Sequence, residues 1–242
     1  MNQSLTELDQ IVGNLLICND PALFKTMSSQ LSRGNRFEKK NIKKYLLLSQ
    51  SIMWCLKKIL RYELYFNKFY PKTKQIPKIE ALEHHVHAYL EDLTTLKNKL
   101  SHYIGTLKND LNHIASNKTE INEALTWLNK KISKSFENVS QNRDPHRHRG
   151  YRFVDDFIAE GGFANTMLNT EGTRQMLSQN GVLKLQKQEE ISFQKGKEYW
   201  SQNANKNYQQ VLGLTNAVFE KTKGFLYRFL DIQPIDSAQF KK

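Results

Sequence analysis

The longest regular feature of the sequence is a run of apolar residues spaced three or four positions apart across about five heptads. These residues are Ile79, Leu82, Val86, Tyr89, Leu93, Leu96, Leu100, Tyr103, Leu107, Leu111 and Ile114. Residues at this spacing share one face of an α-helix, so the run predicts one helix roughly 50 Å long at about 1.5 Å per residue. Such a helix buries its whole apolar face only against neighbours of comparable length. The sequence therefore favours a fold built from packed helices.

Two further segments have the same helical spacing. Apolar residues recur on one face over residues 45–69, which predicts a helix that begins near Arg36 and ends by Pro71. The stripe over residues 121–139 predicts another helix, which stops before Pro145 because a residue preceding proline avoids helical dihedral angles. No alternating strand pattern is visible. The sequence therefore predicts an all-α helical bundle in which the two long helices form an antiparallel pair.

Glycines punctuate the region after the third stripe. We interpret it as loops with short helical turns over residues 153–158 and 173–177. A last helical pattern covers residues 187–230, and an asparagine-rich stretch at 203–207 predicts one break in it.

Three parts of the chain are predicted from these patterns. Residues 1–35 are expected to form one or two short helices, because they contain a single short apolar stretch. Residues 36–230 form one helical-bundle domain, and residues 231–242 are expected to be a flexible tail.

The charge of the chain indicates its partners. A formal charge of +12 and a pI near 9.5 favour polyanions, whether nucleic acid, an anionic membrane or an acidic partner, without choosing among them. The chain has only two cysteines, and they do not form a closely spaced pair. This argues against a disulfide framework and a thiolate zinc site. No leader peptide and no apolar run of membrane-spanning length is visible, so we expect a cytoplasmic protein without a membrane partner.

A short basic segment carries the main candidate chemistry. It reads Gln-Asn-Arg-Asp-Pro-His-Arg-His-Arg-Gly over residues 141–150 and follows the third predicted helix. An unbroken helix would put Arg143 and His148 on different faces, but Pro145 breaks it, and a turn then brings the two side chains toward one point. Arginine grips phosphate oxygens in pairs, and a histidine transfers protons near neutral pH. The segment therefore has the side chains that phosphodiester chemistry requires.

This segment resembles the motif of the HEPN superfamily, in which an arginine and a polar residue are followed, after about three positions, by a histidine. The matching residues are Arg143, Asp144, Pro145, His146, Arg147 and His148. The resemblance implies an HEPN-like all-α bundle, with Arg143 holding the scissile phosphate and His148 acting as acid or base. It assigns Asp144 to orienting its neighbours, while His146 is the alternative imidazole.

The resemblance also implies an activity and a setting. Many such domains are metal-independent endoribonucleases that need no cofactor and work as homodimers with two facing motifs. It further implies a role as a toxin or phage-defence effector, with an antitoxin or activator protein as a possible regulator. Arg147 and Arg149 would add to the binding of RNA.

The same residues leave two other functions open. One is a helical interaction or scaffold protein whose heptad stripe binds a partner helix. The other is a basic nucleic-acid binder without catalysis, in which residues 141–150 form only a solvated loop that complements a helix C-terminus.

Three further clusters are notable. A basic cluster at the start of the first long helix is a candidate surface for a nucleic-acid backbone, although a solvated helix face is the favoured interpretation: Arg36, Lys40, Lys43 and Lys44. A Glu/His cluster could hold a metal, although an exposed polar face is the favoured interpretation: Glu80, Glu83, His84, His85, His87 and Glu91. An aromatic cluster could stack bases, although closing the core is favoured: Tyr62, Tyr65, Phe66, Phe69 and Tyr70.

Overall fold

The computed structural model describes residues 7–19, 36–73, 75–114, 118–137, 139 and 155–231. Nearly all of these residues lie in helices and none of them lies in a strand, which confirms the predicted all-α fold. The helices are α1 (Glu7–Asn19), α2 (Arg36–Leu60), α3 (Tyr62–Lys68), α4 (Lys78–Ile114), α5 (Lys118–Ser135), α6 (Asp156–Asn169), α7 (Glu171–Met176) and α8 (Gln179–Leu230).

The chain divides into two compact units, and α2, α4 and α8 contribute to both. The first unit contains residues up to Leu56, Leu96–Ser135 and the residues from Gln210 onward; the second contains Lys57–Thr95 and Phe136–Gln209. The predicted domain limits at residues 35 and 231 fall at the edges of the described ranges and stay predictions. No described helix has both the length and the apolar character needed to cross a membrane.

The heptad stripe forms the spine of α4. The stripe residues from Ile79 to Leu111 are all buried, with exposures of 0 to 4%. In the first unit the hydroxyl groups of Tyr103 and Thr222 lie 3.0 Å apart, and this bond joins α4 to α8. The predicted long helix is therefore confirmed, and its apolar face is covered by other parts of the same chain.

In the second unit, the end of α2 and α3 run antiparallel to α4. Lys58 Nζ lies 3.6 Å from Asp92 Oδ1, and the Tyr62 hydroxyl donates to Asp92 Oδ2 at 2.8 Å. Further along, the ring of Phe66 contacts that of Tyr89. Residues later in the α2–α3 segment thus contact residues earlier in α4. The two segments are therefore antiparallel, as predicted.

The glycine-rich region differs from the prediction. Residues 156–169 form one regular helix, α6, although Gly161 and Gly162 lie within it. A Cβ atom at Gly161 would lie 2.7 Å from Ile79 Cδ1 and 3.2 Å from Ser192 Cβ. This glycine permits close approach of α6 to α4 and α8, and it does not mark a loop.

The predicted break in the last helix is wrong, because α8 is continuous over 52 residues. Ala204 is 1% exposed, and the Asn207 side chain donates to the Tyr89 hydroxyl at 3.0 Å. Tertiary contacts in the second unit thus hold the asparagine-rich stretch in helical form.

Candidate nucleic-acid interface

The basic segment that resembles the HEPN motif lies between α5 and α6. Its predicted site residues fall outside the described residues, so their convergence stays a prediction: Arg143, Asp144, His146, Arg147, His148 and Arg149. The nearest described residues are Phe136, Glu137 and Val139 before the segment and Asp155 after it.

The upstream flank is the end of α5 and the residue after it. Phe136 is 1% exposed and extends the buried face of α5, which includes Leu128 and Ile132. Val139 is half-buried. Phe136 therefore faces the core, as the apolar stripe over residues 121–139 predicts.

The downstream flank is Asp155, the N-cap residue of α6. Its Oδ1 atom accepts the backbone N–H of Ile158 at 2.8 Å, and its Oδ2 atom accepts the indole N–H of Trp200. Because Trp200 is only 6% exposed, one carboxylate both starts α6 and ties it to α8. The first described residue after the basic segment is therefore fixed within the second unit.

The predicted basic surface lies at the start of α2. The outward face of this helix, which includes Lys40 and Lys43, is the part whose side chains the structure describes. Lys40 and Lys43 are exposed, and neither has a carboxylate partner among the described residues. The sequence contains no acidic residue between Lys39 and Tyr62, so no carboxylate within this stretch offsets the charges of the two lysines. The backbone of Arg36 begins the helix, while its side chain is outside the description.

Lys44 differs from the other lysines of this cluster. Its Nζ atom lies 2.7 Å from Asp110 Oδ2, which also accepts the Tyr45 hydroxyl at 2.7 Å. Burial and the bond to this carboxylate raise the pKa of Tyr45 far above its usual range. Lys44 thus joins α2 to α4, and its charge is already balanced within the protein.

An open groove of about 630 Å³ lies between α2 and α4 in the first unit. Its lining residues are Lys44, Leu47, Leu48, Ser51, His102, Thr106, Asn109 and Asp110. Leu47 forms part of one wall and is 56% exposed. The groove therefore has an apolar side on α2 and a polar side on α4.

Trp54 was missed by the sequence analysis. It is 61% exposed on α2, and neither its ring nor its indole N–H has a partner in the described part of the chain. The signal was present, because Trp54 lies eleven residues after Lys43 and therefore on the same helical face.

The Glu/His cluster of α4 makes contacts within the second unit. Glu80 Oε1 accepts the Asn165 side-chain amide at 2.9 Å, and His87 Nε2 lies 3.8 Å from Glu83 Oε1. His85 donates from its ring to the Phe69 carbonyl at 2.6 Å. Across the described ranges, no three His, Cys, Asp or Glu side chains converge in a way that could hold a metal ion.

The aromatic cluster around α3 belongs mainly to the core. Tyr62 and Phe66 are buried, and Phe66 also contacts Trp200. Burial, followed by the hydrogen bond to Asp92, raises the pKa of Tyr62 far above its usual range. Phe69 is exposed, and Tyr65 and Tyr70 are half-buried.

Comparisons with protein families, with curated proteins and with solved structures gave no match.

Proposed function

We propose that this protein is a metal-independent endoribonuclease of the HEPN type, with its active site in residues 143–148. The observation that carries the proposal is the run of arginines and histidines interrupted by Pro145, which resembles the HEPN motif. Arg143 holds the scissile phosphate, and His148 or His146 transfers protons. Asp144 orients its neighbours, and Arg147 and Arg149 strengthen the binding of RNA.

The reaction needs only groups that RNA and these side chains supply. A histidine accepts the proton of the ribose 2′-hydroxyl, and the oxygen forms a bond to the adjacent phosphorus. The bond from phosphorus to the 5′ oxygen breaks, and that oxygen takes a proton from a protonated histidine. The products are a 2′,3′-cyclic phosphate and a 5′-hydroxyl. DNA is spared because it has no 2′-hydroxyl.

Two described features support this assignment. An all-α fold is the fold class that the family resemblance implies. The basic segment, residues 141–150, also lies between buried Phe136 and Asp155, whose carboxylate is bound to α6 and α8. The nearest described residues on both sides of the segment with known contacts are thus anchored in the fold.

The oligomeric state and the biological setting belong to the same proposal. Two chains would place their basic segments face to face in a homodimer. RNA cleavage without a strict sequence requirement suits a toxin or a phage-defence effector, controlled by an antitoxin or an activator protein.

The test is cleavage of single-stranded RNA by the purified protein in excess chelator. We expect a cyclic-phosphate end and loss of cleavage in Arg143→Ala and in at least one of His146→Ala and His148→Ala. Matched controls are Arg174→Ala and His113→Ala, which remove an exposed arginine and an exposed histidine on α7 and α4. Equal inactivity of the wild type and all variants, or equal activity in all of them, would refute the assignment.

A nucleic-acid binder without catalysis is the second candidate. Lys40 and Lys43 favour it, because they are exposed, have no carboxylate partner among the described residues and share one helix face, which suits a phosphate backbone. It predicts RNA binding that weakens steeply with salt while the RNA stays intact. The scaffold function has less support, since the α4 stripe that was to bind a partner is buried within this chain.

A further inference from the structure

The outward face of α2 combines cations with an exposed tryptophan in the first unit. Lys40, Lys43, Leu47 and Trp54 fall within an arc of about 60° at 100° per residue, and all four are exposed. Residues on the opposite face, including Tyr45, are buried. A large indole left open to solvent beside free lysines suggests a ligand with both a flat apolar group and negative charge.

We infer that this face binds single-stranded RNA, with Lys40 and Lys43 contacting phosphates and Trp54 stacking on an unpaired base. The inference takes RNA as ligand from the proposed function, and it adds the strandedness of the substrate and a binding site outside the motif. Proteins that hold single strands combine a cationic track with aromatic side chains on which bases stack.

The charges of this face and their spacing from the indole suit a short nucleic-acid strand. Both lysines lack carboxylate partners among the described residues, whereas Lys44 is paired with Asp110. The helix rises about 16 Å between Lys43 and Trp54, which spans about five nucleotides stacked at roughly 3.4 Å each. The two lysines and the indole can therefore engage one short strand together.

The indole also determines which RNA would be bound. Its ring can stack only on a base that is free of its neighbours, so a continuous duplex offers it no partner. The lysines contact phosphates in either form. Dependence on Trp54 should therefore separate single strands from duplexes, while dependence on the lysines should not.

The first experiment measures binding to a single-stranded RNA with 2′-O-methyl groups, which has no nucleophile and cannot be cut. Trp54→Ala should weaken binding by about 5- to 150-fold, whereas Trp54→Phe, which keeps an aromatic face, should lose less. The matched control is Trp127→Ala. Trp127 is 56% exposed in the same unit, but Lys131 Nζ already lies 5.1 Å from its ring centroid.

The second experiment tests the lysines by salt dependence. The double variant Lys40→Gln/Lys43→Gln should reduce the slope of log affinity against log salt by about 1.4, at roughly 0.7 per phosphate contact on a single strand. The control Lys130→Gln/Lys134→Gln on α5 makes the same change in net charge and should leave the slope unchanged. Duplex RNA should respond to Lys40→Gln/Lys43→Gln and not to Trp54→Ala.

Binding of single-stranded RNA that is equally weakened by the Trp54 and Trp127 substitutions, or by neither, would overturn the inference. The same holds if Trp54→Ala impairs binding to phosphatidylserine vesicles or polyglutamate and leaves RNA binding intact. Cleavage of unmodified RNA is scored separately. Loss of Trp54-dependent binding with cleavage retained refutes only this inference, and Trp54-dependent binding without any cleavage refutes only the nuclease.

Discussion

Two adjacent glycines of α6 provide a direct test of its packing. In Gly161→Ala the new Cβ would lie 2.7 Å from Cδ1 and 2.8 Å from Cγ1 of Ile79. Ile79 and Ser192, the other close neighbour, are each 1% exposed, so neither can move into solvent. At Gly162 the same substitution meets no atom within 4 Å. The pair therefore separates the cost of close approach from the effect of replacing glycine in a helix.

The magnitude follows from two opposing contributions. Replacing glycine by alanine inside a helix stabilises it by roughly 0.5 to 1 kcal/mol, and both variants share this gain. Overpacking a tight core costs typically about 1 to 3 kcal/mol, and only Gly161→Ala incurs it. We expect Gly162→Ala to be more stable than the wild type and the two variants to differ by about 1 to 3 kcal/mol.

The assay is urea denaturation monitored by circular dichroism. The transition midpoints are compared between variants whose unfolding free energy depends equally steeply on urea concentration. In a chain of this size the difference corresponds to roughly 2 to 4 °C in Tm for each kcal/mol. A third variant, Gly161→Ala with Ile79→Val, removes the methyl group at the closest contact and should recover part of the loss. The reasoning fails if Gly161→Ala is as stable as Gly162→Ala.

Two further substitutions test buried polar contacts of the second unit. Burial raises the pKa of Tyr89 to about 12, although the Asn207 amide lowers it in part. The unfolded chain releases this proton near pH 10, so stability should fall from pH 10 to 12, by about 3 kcal/mol for this group. Tyr89→Phe should flatten the fall measured by urea denaturation, and an unchanged fall would contradict the linkage. Asp155→Ala removes the N-cap bond to Ile158 and leaves the Trp200 N–H unpaired, so it should cost about 2 to 4 kcal/mol and change tryptophan fluorescence. Denaturation at the wild-type midpoint would show that the carboxylate contributes nothing.

The helices could be predicted where apolar spacing is long and regular. Residues 79–114 repeat their apolar positions over many turns, and α4 covers 78–114. Such a pattern is local, because the position of a side chain around a helix depends only on its place in the chain.

The predictions at the glycines and asparagines were wrong because the conformation of these residues depends on contacts that are not local. Gly161 and Asn207 have weak helix propensity, which predicted loops and a break. Their helical state depends on partners distant in sequence, Ile79 for Gly161 and Tyr89 for Asn207. A propensity cost of about 1 kcal/mol is small beside the packing of a long helix, so tertiary contacts prevail.

The candidate site also has features that the sequence predicts and features that only the structure shows. Sequence alone singled out residues 143–148 and their proposed chemistry, which stay predictions, and it grouped Lys40, Lys43 and Lys44 as equivalent cations. The structure separates them, because Asp110, far along the chain, is bonded to Lys44 and leaves Lys40 and Lys43 open.

By itself the sequence determined the all-α class, the long central helix and the cationic character of α2, since spacing and charge are properties of neighbouring residues. Only the tertiary structure decided which glycines are close-approach points and which lysine is neutralised. These outcomes depend on which distant segments pack together, and the pattern of neighbouring residues does not specify that.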